Sequence, residues 1–202
     1  MPQRFLEHVR SHCDRHGIVL ILDEVQSGVA RCGQFWASEL VGVQPDVMTF
    51  AKGIASGLPL AGVAASKSIF DKLLPNALGG TYGGNGVCMA AANATLDVIQ
   101  DEDLCGNARR TGDRLRRGLE EIQGWAGSPI VGLRQYGLFI GVDFDPQACT
   151  SAAVMGAALK ENIIVIGCGK NGIRILPPLV ITEQECDEFL EGFAKAVRAA
   201  GR

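Results

Sequence analysis

The stretch "IVLILDEVQSG", residues 18 to 28, decides the fold class: five apolar residues, three of them β-branched, run without a polar break into two adjacent acids. So short and apolar a run suits a parallel strand covered on both faces rather than an amphipathic helix. In open parallel sheets, ligands gather beyond the carboxyl ends of the strands, so Asp23 stands where a carboxylate could meet a cofactor. A helix N-cap or a surface ion pair would place an acid here too.

"DVMTFAKGIASGLPL", residues 46 to 60, repeats the arrangement with the opposite charge. Lys52 closes an apolar run and is followed at once by glycine. A lysine in that place is ordinarily a surface residue whose stem lies along apolar atoms. Taken with Asp23, it forms one amine and one carboxylate on neighbouring strand ends. A third element, "LGGTYGGNG" (78 to 86), is glycine-rich and opens a helix. Free backbone N–H groups at a helix start can hold a phosphate, and Thr81 adds a hydroxyl. The stretch lacks both the G-x-x-x-x-G-K and the G-x-G-x-x-G registers, and a plain turn explains the glycines equally well.

Bulk composition narrows the classes. The chain has 202 residues, 47% hydrophobic and 20% charged, with a formal net charge of −3. That balance favours neither nucleic acid nor an anionic membrane surface as a partner. No apolar run approaches the roughly 18 residues of a spanning helix. The N-terminal "MPQRFLEHVRSHCDRHG" is too polar for a secretory signal and contains acids that a transit peptide avoids. The expected location is cytoplasmic; in a eukaryote, a mitochondrial address would lie upstream of this chain. Seven cysteines without a C-x-x-C pair read as reduced thiols.

Periodicity organises the rest. Residues 4 to 16 carry Phe5, Leu6, Val9 and Cys13 at helical spacing before Gly17. Helical pattern returns over 86–100 and 104–122. After Gly124, "VGLRQYGLFIGVDF" reads as strands broken by glycine, and "SAAVMGAALKEN" as a helix capped by Thr150. "NIIVIGCGKNGIRILPPLVI" reads as a hairpin turning on "CGKNG". A last helix opens at Thr182 with Glu185 at capping-box spacing. The acidic "DEDLCG" marks a boundary, giving domains 1–104 and 105–202. His8, His12 and His16 share a helix face at i, i+4 and i+8, but no acidic third ligand accompanies them, so they read as a solvated face and not a metal site.

"LILDEVQSGVARCGQFWASE", "PDVMTFAKGIASGLPLAGV", "GGTYGGN" and "GIRILPPLVIT" together resemble the class III (subgroup II) aminotransferases, pyridoxal-phosphate enzymes of fold type I. The 4-aminobutyrate branch is the most similar in look. The resemblance implies an α/β fold: the C-terminal part of the cofactor-binding large domain over 1–104, mainly parallel sheet flanked by helices, and a small α+β domain over 105–202. It also implies transamination of an amino acid or ω-amino acid with a 2-oxo acid acceptor. Lys52 would form the Schiff base with pyridoxal 5'-phosphate and then serve as the base that moves the substrate proton. Asp23 would pair with the pyridine nitrogen, Gln26 with the phenolic oxygen, and Val25 would pack on the ring. Thr81 would reach the cofactor phosphate of the other subunit, which implies a homodimer. Arg174 would grip a substrate carboxylate by its fork, the alternative being an ion pair within the small domain.

Some positions depart from the family pattern. Cys32 replaces the threonine of R-T-G, and "NGV" follows the glycine-rich turn in place of N-P-L. Arg31 keeps its family position without an assignable role. Family members run to about twice this length, so the resemblance implies a C-terminal portion whose N-terminal half supplies the main phosphate loop. The alternatives are an inactive or structural fragment that needs that half, or a same-fold decarboxylase or aminomutase.

Overall fold

The computed structural model describes residues 3–75 and 77–201. They form two compact units, one of residues 1–30 with 34–103, the other of residues 31–33 with 104–202.

In the first unit, α1 (Gln3–His16) leads into β1 (Ile21–Asp23), which pairs in parallel with β2 (Val47–Phe50). The third strand, β3 (Gly62–Ala65), runs antiparallel to β2. The sheet order is β1-β2-β3. One ladder is parallel and the other antiparallel, the connection from Ala51 to Ala61 being short for the crossover that a parallel partner needs. Cys13, Leu20 and Val43 are buried with Leu6, Val9 and Leu22 packed against them, so α1 covers one face of the sheet. Arg10 ties the helix to the strand loop by an ion pair with Asp46 at 2.9 Å. The Leu20 amide and then Arg10 hold the Asp46 carboxyl below the usual carboxylate range. The opposite face is uncovered, as a large domain lacking its N-terminal half would leave it: Val19, Ile21 and Val63 are all more than half exposed. A short helix α2 (Lys67–Phe70) follows, and then α3 (Gly86–Asp101), which buries Cys88, Ala92 and Ile99.

The second unit is an antiparallel sheet of order β4-β5-β7-β6, with β4 (Ile130–Tyr136), β5 (Phe139–Phe144), β6 (Ile166–Cys168) and β7 (Gly172–Ile175). Its helices are α4 (Leu104–Gln123), α5 (Ser151–Lys160) and α6 (Glu183–Ala200). Strand alternation sends Ile140, Val142, Ile173 and Ile175 to one face, where they join Leu115, Leu119, Val154, Phe193 and Val197 in a continuous core. Thr150 caps α5 by accepting from Ala153 N, and Thr182 with Glu185 closes a full capping box on α6.

Arg31–Gly33 packs with this second unit although it lies in the middle of the first stretch of chain. The Arg31 guanidinium donates to the Leu138 carbonyl at 3.3 Å and the Pro177 carbonyl at 2.5 Å. Leu138 N donates back to the Arg31 carbonyl at 3.0 Å. Burial pulls the Arg31 guanidinium below its ordinary value. At the β4–β5 turn, Gly137 has φ +51°, and a Cβ there would stand 2.6 Å from the Cys32 carbonyl carbon. Only glycine allows the turn to dock so closely.

Candidate active site

The site is built at the ends of β1 and β2. Asp23 is the last residue of β1 and pairs across the ladder with Thr49. Both side chains leave the sheet on the face that α1 does not cover. Both hydrogen bonds to the Asp23 carboxylate fall on Oδ1: the Val25 amide donates at 3.0 Å and the Thr49 hydroxyl at 3.2 Å. The Val25 contact is an Asx turn, which starts the reversal that Gly28 N to Glu24 O completes at 2.9 Å. Val25 is half-buried in this turn and Gln26 is exposed.

Glu24, the second acid of the pair, is buried where Asp23 is exposed. It is 3% exposed. Its carboxylate accepts from Ser27 Oγ at 2.5 Å and from Ser38 N at 2.7 Å, and its own amide donates to Thr49 O at 2.9 Å. A buried carboxylate persists only with such partners. Glu24 thus anchors the turn that carries Asp23, Val25 and Gln26. The available signal was its position: one residue past Asp23, the pleat turns it to the opposite side.

Lys52 follows β2 and opens a short 3-10 turn, Lys52–Ala55. Its backbone is left-handed at φ +52°, which for a lysine stores strain of about 1–3 kcal/mol. Burial of Ile54 and Ala55 holds that backbone in place, as does the Ser56 to Thr95 hydroxyl contact at 2.9 Å, which ties the turn to α3. The lysine side chain itself is exposed. The loops after β1 and β2 meet, because a Cβ on Gly53 would lie 3.8 Å from Val29 Cγ1. Asp23, Val25, Gln26 and Lys52 therefore sit on two adjoining loops at one end of the sheet. A groove lined by Arg10, Trp36, Asp46, Met48 and Ala64 opens elsewhere, on the face to which Met48 and Ala64 point.

Thr81 lies exposed in the turn before α3. The expected free N–H groups at that helix start are partly taken, since Asn85 Oδ1 accepts from Val87 N at 3.0 Å and Cys88 N at 3.2 Å. Arg174 belongs to the second unit. It pairs across the sheet with Gly141 on one side and Ile166 on the other, facing away from the core side chains Ile173 and Ile175. On the same face Arg134 forms a bidentate pair with Asp143 and holds that carboxyl below the usual range. His8 Nδ1 lies 2.6 Å from the Arg4 carbonyl oxygen, and the His12 and His16 rings pack at 4.4 Å. Among the described residues no group of three or more His, Cys, Asp or Glu side chains could hold a metal ion, and no helix is long and apolar enough to cross a membrane.

The donor set suits pyridoxal phosphate. A carboxylate fixed through one oxygen can hold a protonated ring nitrogen, an exposed primary amine can take the aldehyde carbon, and an adjacent carboxamide can bond the ring oxygen.

Comparison with known proteins gives the family. The model of the family described as aminotransferase class-III matches residues 1–197. A 5-aminovalerate aminotransferase of Pseudomonas putida is 40% identical over 198 residues, covering 94% of this chain and 46% of the relative. The 4-aminobutyrate aminotransferase of Escherichia coli is 39% identical over 197 residues, 93% of this chain and 46% of its own length. The chain spans about half the length of the curated relatives it matches. Among solved structures, the ornithine aminotransferase of Toxoplasma gondii, described with partial occupancy of PLP at its active site, superposes with a TM-score of 0.90 at 29% identity, over 97% of this chain and 47% of that one.

Proposed function

Because the chain belongs to the class-III aminotransferase family, we propose that its first unit carries the cofactor-holding residues of a pyridoxal-phosphate transaminase acting on an ω-amino acid with a 2-oxo acid acceptor. The observation that carries the reading is the placement of Asp23 and Lys52 on adjoining loops past the carboxyl ends of the parallel pair β1 and β2. The names of the Pseudomonas putida and Escherichia coli relatives support a terminal-amine substrate such as 4-aminobutyrate or 5-aminovalerate.

When bound, the cofactor supplies an electron sink for the pair left as the substrate Cα–H bond breaks. Asp23 holds a proton on the pyridine nitrogen and so keeps that sink open. Gln26 donates to the ring oxygen, and Val25 gives the ring an apolar contact. Lys52 Nζ would hold the cofactor before substrate arrives and, once released, would serve as the base that moves the proton at the substrate carbon. Thr81 supplies a hydroxyl to the phosphate in the partner of a homodimer, and Arg174 offers a carboxylate a two-pronged grip. The same lysine, aspartate and glutamine would serve a decarboxylase or aminomutase, and 2-oxo-acid-dependent amine transfer separates these from a transaminase.

The testing experiment is selective labelling. The protein is incubated with pyridoxal phosphate, reduced with borohydride, digested and mapped by mass spectrometry. The expected result is a pyridoxyl group on Lys52, well above Lys67, Lys72, Lys160, Lys170 and Lys195. Uniform labelling of the lysines removes the assignment.

A further inference from the structure

We infer that Thr49 is the positioning residue for Asp23: its hydroxyl turns one carboxylate oxygen toward the sheet and keeps the other for the cofactor's ring nitrogen. This rests on the cofactor reading of Asp23 given above.

The geometry is local and redundant. Asp23 and Thr49 are cross-strand partners in the parallel ladder and lie on the same sheet face. Thr49 engages the β1 end twice, its hydroxyl donating to Asp23 Oδ1 at 3.2 Å and its carbonyl accepting from Glu24 N at 2.9 Å. The Val25 amide completes the hold on the same oxygen at 3.0 Å. A carboxylate turns about a broad, roughly two-fold terminal torsion, and a single amide donor leaves that rotation open. Two donors converging on Oδ1 from different directions close it, which presents Oδ2 for an ionic hydrogen bond.

A structural requirement alone would not select threonine. Valine has the same branched shape and an equal or better strand propensity, and the ladder uses only the Thr49 backbone. What threonine adds at this position is one donor, and that donor is spent on Asp23. Neither the apolar-run argument nor the family motif singles it out.

The test compares Thr49→Val with Thr49→Ser in the full chain, first without cofactor. Amide hydrogen exchange followed by NMR reads the hold on the carboxylate directly. In Thr49→Val, the Val25 amide is expected to exchange about tenfold faster than in the parent while the β2 amides are unchanged; in Thr49→Ser it keeps the parent rate. Titration with pyridoxal phosphate, followed by protein fluorescence, is expected to give a dissociation constant about tenfold higher for Thr49→Val and within about twofold of the parent for Thr49→Ser. Parent-like Val25 exchange in Thr49→Val overturns the inference, whatever the cofactor does. Faster exchange with an unchanged dissociation constant also overturns it, because the aim of the carboxylate would then not matter to the ring. Failure of the cofactor reading itself shows separately, as loss of selective labelling at Lys52 with Thr49 intact.

Discussion

Lys52 combines an exposed ammonium with a left-handed backbone held between a buried turn and α3. Under the proposed chemistry, Lys52→Ala should lower turnover at least about a hundredfold, the range expected for loss of a positioned acid–base group. The borohydride-reducible cofactor should vanish in the same variant, and a steady-state assay alongside a spectrum checks both. Arg174→Lys keeps the charge but loses the fork, so KM for carboxylate-bearing amines should rise about tenfold with a smaller change in kcat. Equal kinetics in the two proteins would assign Arg174 to the sheet of the second unit alone. Two of the residues that matter most at this scale were hidden. In the string "LILDEVQSG" the exposed Asp23 and the buried Glu24 differ only in which side of the pleat they take, and the string does not say which side is covered. Thr49 looked like one more strand former.

At the scale of elements, periodicity carried far because each helix packs one stripe and each cap is chemically explicit. The helix at 104–122 is α4 to within a residue, and the Thr182–Glu185 box was visible as two residues at a fixed spacing. Thr182→Ala should lower unfolding free energy by about 1 kcal/mol, measured by urea denaturation. What periodicity could not supply was strand length and direction. "IVLIL" contributes only its last two residues to β1, and "PLAGVAAS" pairs antiparallel because its connection is short. Small residues hide close approaches in the same way. Gly112 in α4 lies under the β4–β5 turn, where a Cβ would come to 2.2 Å from the Gly137 carbonyl oxygen. Backbone cannot yield as a side chain tip can, so Gly112→Ala should cost about 1–3 kcal/mol, read from the same denaturation curves.

Across the whole molecule, burial of thiols gives an alkaline limit. Cys186 is fully buried under α4, and desolvation pushes its thiol from 9.0 up to about 11. The folded chain keeps that proton where the unfolded chain releases it. The contribution of this thiol to stability is therefore fully present below pH 9 and is lost as pH rises toward 11. Urea midpoints at about pH 8 and about pH 10.5 should differ more in the parent than in Cys186→Ala, the variant lacking this titration. The other consequence at this scale comes from Arg31–Gly33. The second unit borrows three residues from deep within the first stretch of polypeptide. Dissection at the Asp103–Leu104 junction would then yield a C-terminal piece with a socket where the Arg31 guanidinium belongs, two carbonyls stripped of their donor. Circularly rewired versions that keep Arg31 near the β4–β5 turn should therefore tolerate separation better than a plain truncation.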